Sequence, residues 1–115
     1  LQVDPLLIQE LHALGFEIAI ETNGTCELPY GIDWVCVSPK SQTELKTQRG
    51  NEIKIVFPQA DLHPTDYENL TFDHFFLQPL YDAHYKDNLK ATIEYCLQNP
   101  KWRLGLQIHK YIGIK

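Results

Sequence analysis

Four apolar stretches of this chain close on a polar residue: Glu21, Ser38, Gln78 and His109. Each stretch alternates as a strand does, so residues two apart share a face. Ala19 therefore lies beneath Glu21, Cys36 beneath Ser38, and Gly105 and Gln107 beneath His109. In 52–57, Glu52 and Lys54 fall together, opposite Ile53, Ile55 and Phe57. A polar residue at a strand end usually opens a solvated loop, and Glu52 with Lys54 reads equally well as an edge-strand ion pair of little worth. Taken together, these residues place polar groups on one face, toward one end, over small residues. Ligands bind at the carboxyl ends of strands in parallel sheets and barrels. A carboxylate, a hydroxyl, an ammonium, two amides and an imidazole would suit a small polar ligand with amide-like edges and hydroxyls. No serine sits in a strained elbow, so a Ser-His-Asp arrangement is not indicated.

Other reactive residues point nowhere in particular. Cys26, Cys36 and Cys96 are an odd number at wide spacing, which fits neither a disulfide framework nor a zinc pattern. Cys36 lies in an apolar strand and Cys96 on an apolar helix, so both are expected buried and inert, whereas Cys26 lies in a loop. His12, His63, His74 and His84 are scattered and read as surface or satisfied histidines. There is no G-x-G-x-x-G or Walker loop, and no metal site is predicted.

The elements that must position the polar set follow from pattern and punctuation. Asp4 before Pro5 marks a helix start, Leu6, Leu7, Leu11 and Leu14 recur at helical spacing, and Gly15 closes the helix. Strands are predicted over 16–21, 34–38, 52–57, 74–78 and 102–109, with 22–31 as turn and 41–50 as polar loop. Pro39, Pro58 and Pro79 each stop a strand. A short helix is expected over 64–70 and a longer one over 86–98, where Leu89, Ile93 and Leu97 recur every four residues. Strands joined by long, partly helical connections imply a parallel sheet, hence an α/β fold with right-handed crossovers.

Composition bounds the function. The chain has 115 residues, 43% hydrophobic, with a net charge of -5. That length allows at most one ordinary domain, able to bury about two thirds of its unfolded surface. The acidic balance argues against a nucleic-acid partner, which basic residues must recruit, and against an anionic membrane surface. No run of about 18 apolar residues could span a bilayer, and no signal-peptide pattern is visible. With its cysteines unpaired, a cytoplasmic location is expected. The chain has no methionine and opens on Leu1, a large residue, so it is expected to be a piece of a longer protein.

The blocks ETNGT (21–25), DWVCVSPK (33–40), NEIKIV (51–56), FLQP (76–79) and NPKWRLGLQIHKYIGI (99–114) together resemble, in order and over essentially the whole chain, the C-terminal half of the 7-carboxy-7-deazaguanine synthases. These are radical S-adenosylmethionine (SAM) enzymes of queuosine and 7-deazapurine biosynthesis. ETNGT is shared more widely with radical SAM activases, whereas SPK and LQ-x-HKY as a set are specific. The resemblance implies the C-terminal part of a radical SAM core domain: a partial parallel (β/α) barrel, in a cytoplasmic homodimer. It implies conversion of 6-carboxy-5,6,7,8-tetrahydropterin to 7-carboxy-7-deazaguanine with loss of ammonia. SAM on a [4Fe-4S] cluster would supply the radical, Mg2+ would assist, and a flavodoxin-type reductant would serve the cluster.

Residue by residue, the resemblance places Ser38, Pro39 and Lys40 in one SAM-contacting segment and Gln78, Pro79, Leu80 and Tyr81 in another, with Lys54 beside them. It places Glu21, Gln107 and His109 near the pterin, and the carboxylate of Lys115 on the substrate. Gly105 and Ile108 stand where Ser and Thr are common in the family. The family's cluster cysteines, its magnesium-binding Thr and its Gly-Gly-Glu-Pro motif lie upstream of Leu1. The chain alone is thus expected to hold no cluster and to turn nothing over, and its open edge to be covered by dimerisation or swapping. Two other readings compete: a truncated SAM- or pterin-binding module without catalysis, and a radical SAM activase acting on a partner protein.

Overall fold

The computed structural model describes residues 4–106. Helix α1 (Pro5–Ala13) starts as expected, with the Asp4 carboxylate accepting from the Leu6 amide at 2.9 Å. Five strands follow: β1 (Ala19–Thr22), β2 (Trp34–Val37), β3 (Arg49–Phe57), β4 (Thr71–Pro79) and β5 (Trp102–Leu104). They form one sheet in the order β1-β2-β3-β4-β5, every pair parallel. Helix α2 (Tyr85–Gln98) joins β4 to β5. The α/β class and parallel sheet are therefore as the sequence implied. Strand-after-strand order in one direction is the winding of a (β/α) barrel. Among the described residues, β1 and β5 stay at opposite edges of the sheet.

Register divides the sheet into two chemically distinct faces. On one, Ile53 and Ile55 of β3 lie opposite Phe75 and Leu77 of β4, and Trp102 and Leu104 of β5 continue the same rows. With Val37, Leu62 and Phe72, all of these but the exposed Leu104 build the core, and Val37, Ile53, Ile55 and Leu77 are fully inaccessible. Helix α2 packs over β4 and β5 here, with Tyr95 tilted against Phe57 at 5.1 Å between ring centroids. The other face carries Glu21, Cys36, Glu52 and His74 in one row, and Lys54, Phe76 and Arg103 in the next.

Several expectations shift. β3 begins at Arg49, inside the stretch read as polar loop, because Arg49 and Gly50 pair with Thr71 and Phe72 of an equally lengthened β4. Of 64–70 only Pro64–Asp66 forms a helical turn, a 3-10 one. Of the strand expected over 102–109, β5 occupies Trp102–Leu104, Gly105 donates to Leu77 O at 2.8 Å, and 107–109 lie outside the described residues. The helices face other ways than their leucine spacing implied. In α1 only Ile8 is buried, while Leu6 and Leu14 stand 65% and 73% exposed. In α2 the buried pair is Asn88 and Thr92, and Leu97 is exposed. The same stripe carries Tyr95 and Cys96 against the core, and its polar members are bonded: Thr92 Oγ1 donates to Asn88 O at 2.6 Å, and Asn88 Nδ2 donates to Leu80 O and Asp82 Oδ1, both at 2.9 Å.

Candidate functional site at the carboxyl edge of the sheet

Because every strand runs the same way, their C-terminal ends meet along one edge. Glu21 and Thr22 end β1; Ser38, Pro39 and Lys40 follow β2; Gln78 and Pro79 end β4, and Leu80 and Tyr81 follow it. Glu21, Ser38 and Gln78 are thus brought to one edge from β1, β2 and β4. Gln78 sits opposite Val56, one row beyond Lys54 and on its face.

Local bonding explains how each segment is held. The ETNG turn caps itself: Thr22 Oγ1 accepts from the Gly24 amide at 3.1 Å, and Asn23 Oδ1 accepts from the Thr25 amide and hydroxyl. Ser38 donates its amide to Thr22 O at 2.8 Å, which seats the Ser38–Lys40 segment against the end of β1. Pro39 is buried, Lys40 is exposed, and Lys40 O accepts from Thr43 Oγ1 at 2.7 Å. The Leu80 amide donates to Phe57 O, while Leu80 O accepts from Asn88. Asn88 is thus a support of the site that sequence reading missed. The leucine spacing of α2 marks a different stripe, so nothing in the sequence singled Asn88 out.

One pair of candidate residues meets directly. Lys54 Nζ donates to Glu21 Oε1 at 2.8 Å, reaching from β3 across β2 to β1. This corrects the edge-pair alternative: β3 is the central strand, and the partner of Lys54 is Glu21 rather than Glu52. The Lys54 hydrogen bond and charge hold the Glu21 carboxyl below its usual range, and the Glu21 hydrogen bond raises Lys54. The pair's contribution is complete between those ranges; it fades in acid as Glu21 protonates and in strong base as Lys54 loses its proton. With Glu21 71% exposed, solvent limits that contribution to less than about 1 kcal/mol. Beneath the pair, burial and the Glu52 hydrogen bond push the Cys36 thiol up to about 12. His74 stacks beside Trp34, with 6.1 Å between ring centroids.

Gln107, His109 and Lys115 lie outside the described residues. The cleft nearest the amino ends, about 450 Å³ and bordered by Glu27, Tyr30, Lys46, Gln48 and Arg49, holds none of the predicted site residues.

The thiols give a test of this arrangement. Cys26 is exposed, whereas burial raises both Cys36 and Cys96. Only the thiolate alkylates readily. Iodoacetamide near neutral pH should therefore modify Cys26 first, with Cys36 reacting only on unfolding, as peptide mass mapping would read. Early labelling of Cys36 would contradict the placement of β2. The three thiols belong to a loop, a central sheet face and a helix on the other face, so they cannot share one iron-sulfur cluster. Among the described residues, no group of three or more His, Cys, Asp or Glu is placed to hold a metal ion. None of the described helices is long and apolar enough to cross a membrane.

Comparison with known proteins agrees with the motif blocks. The chain is 53% identical over 114 residues to the 7-carboxy-7-deazaguanine synthase of Bordetella pertussis, covering 99% of this chain and 54% of that protein. It is 51% identical to the Bradyrhizobium diazoefficiens enzyme of the same name, across all of this chain and 55% of the relative. The Bacteroides thetaiotaomicron protein of that name is 44% identical across all of this chain and 60% of its own length. The chain spans about half the length of the curated relatives it matches. No family model matches it.

Proposed function

Since the chain is homologous over its whole length to the 7-carboxy-7-deazaguanine synthases, we propose that it forms the pterin- and SAM-binding half of such an enzyme. The complete protein then converts 6-carboxy-5,6,7,8-tetrahydropterin to 7-carboxy-7-deazaguanine and ammonia, in 7-deazapurine and queuosine biosynthesis. The observation that carries this reading is identity of 53% across 99% of the chain. The geometry supports it independently: a carboxylate, a hydroxyl, an ammonium and an amide gather on one edge of a parallel sheet.

In this reading Glu21 accepts hydrogen bonds from the guanidine-like edge of the pterin. The Ser38–Lys40 and Gln78–Tyr81 segments cradle SAM, the ammonium meeting its carboxylate and the hydroxyl and amide its polar groups. SAM bound to a cluster supplies the hydrogen-abstracting radical; the described thiols do not fit that cluster, so in this reading its ligands come from elsewhere in the complete enzyme. A homodimer and a flavodoxin-type reductant complete the proposal.

The test is product analysis. Full-length protein, reconstituted anaerobically and supplied with the carboxytetrahydropterin, SAM and reductant, should form 7-carboxy-7-deazaguanine detectable by mass spectrometry. The 115-residue chain alone should cleave no SAM. Absence of the deazaguanine from the full-length reaction, beside a relative that forms it, would reject the assignment.

A further inference from the structure

The Glu21–Lys54 contact is built in a way that an incidental surface pair is not. Its ends stand on β1 and β3, with β2 between them, so no local spacing brings them together. Lys54 projects from the central strand, with only 31% of its side chain exposed, while Glu21 is at the sheet edge. Lys54 takes one carboxylate oxygen, Oε1. A carboxylate offers about four acceptor positions, so Glu21 keeps capacity for a ligand while Lys54 holds it.

The other titratable groups near Glu21 would not neutralise it. Cys36 on β2 stays protonated, Glu52 on β3 is another carboxyl group, and His74 on β4 lies at the far end of that row. Arg103 on β5 occupies the row of Lys54 but lies two strands beyond it. Lys54 is thus the described cation placed to serve Glu21.

We propose that Lys54 is a positioning residue for the ligand-binding carboxylate. Its ammonium holds Glu21 ionised and in place over β2, so that Glu21 meets the pterin as a hydrogen-bond acceptor and not as a proton-abstracting base. Lys54 acts through Glu21 rather than on SAM. This inference rests on the reading of Glu21 as a pterin contact. The low-lying Glu21 carboxyl agrees with it, since a carboxylate held ionised is a weak base.

The experiment measures equilibrium binding of 6-carboxy-5,6,7,8-tetrahydropterin to the full-length protein, anaerobically, from acid to neutral pH. The wild type is compared with Lys54→Met, Lys54→Arg and Glu21→Gln, with circular dichroism confirming that each variant is folded. Glu21→Gln should weaken binding about tenfold and remove the acid limb that Glu21 causes. Lys54→Met should move that limb to higher pH, and Lys54→Arg should return it toward the wild-type position. If Lys54→Met leaves the limb where it is while Glu21→Gln weakens binding, the positioning role is overturned and the pterin contact stands. If Lys54→Arg behaves as Lys54→Met does, charge is not what Lys54 contributes, and the proposal is again overturned. If Glu21→Gln binds as the wild type does, the pterin contact itself is wrong and the inference falls with it.

Discussion

Alanine at Trp102 should destabilise the protein by about 3–5 kcal/mol, the usual loss when a buried tryptophan is truncated. Trp102 is 1% exposed, although it opens a strand of only three residues. Its ring meets Phe75 edge to face, with centroids 5.2 Å apart, and its Nε1 donates to Glu68 Oε1 at 3.1 Å. Its amide donates to Asn99 O, closing the connection from α2. So short a strand has few ladder bonds, and this side chain holds it to the sheet. Urea denaturation followed by fluorescence of Trp34 should show a lower midpoint with an unchanged slope. Trp102→Phe should lose about 1–2 kcal/mol, because it keeps an aromatic ring against Phe75 but removes the indole donor to Glu68 Oε1, which keeps only the longer bond from the Tyr95 hydroxyl. A loss below about 1 kcal/mol for the alanine variant would show that β5 lies outside the cooperative core.

Gly24→Ala should cost about 2–3 kcal/mol and disturb the candidate site as well. Gly24 has φ +79, a left-handed conformation that costs other residues about 1 kcal/mol. A Cβ there would come within 2.3 Å of Leu45 Cδ1 and 3.0 Å of Val37 Cγ1. The leucine end can swing aside, but Val37 is fully buried in the core, which leaves about 1–2 kcal/mol of overpacking. Gly24 O also accepts from the Lys46 and Thr47 amides at 2.7 and 3.1 Å, so any shift of the turn moves the 45–47 loop. Gly15 is a built-in control: its φ is +86, but a Cβ would meet nothing within 4 Å. Gly15→Ala should therefore lose only the backbone part. Equal losses at both glycines in thermal unfolding would show that close packing at Gly24 is unimportant. The turn carries Glu21 at its start, so under the proposed function Gly24→Ala should also weaken pterin binding in the full-length protein.

The alternation around Glu21, Ser38, Lys54 and Gln78 was legible because strand geometry is local: a period of two assigns each residue to a face without knowledge of its neighbours. The Asp4–Pro5 helix start, the ETNG turn and the α/β class were legible for the same reason, since caps, turns and crossover lengths depend on adjacent residues. The resemblance of the motif blocks extended this to a family, and the match across the whole chain agrees with it.

What the sequence left open is what burial and long-range pairing decide. Leucine spacing in α1 and α2 marked an apolar stripe, but a helix turns toward the sheet whichever stripe packs best and is satisfied. In α2 that stripe is Asn88, Thr92, Tyr95 and Cys96, and its polar members are hydrogen-bonded to Leu80 O, Asp82 and the Asn88 carbonyl. The start of β3 at Arg49 needed β4 as a partner, because polar residues pair in a ladder as readily as apolar ones. The partner of Lys54 could not be read at all: Glu52 is two residues away and Glu21 is 33 away, and only the sheet order sets them on rows where the ammonium reaches the distant one. By itself, then, the sequence determined the strands, the turns and the chemical character of each face. The tertiary structure decided which of those groups touch, because strand order and register are properties of the whole sheet and of no single segment.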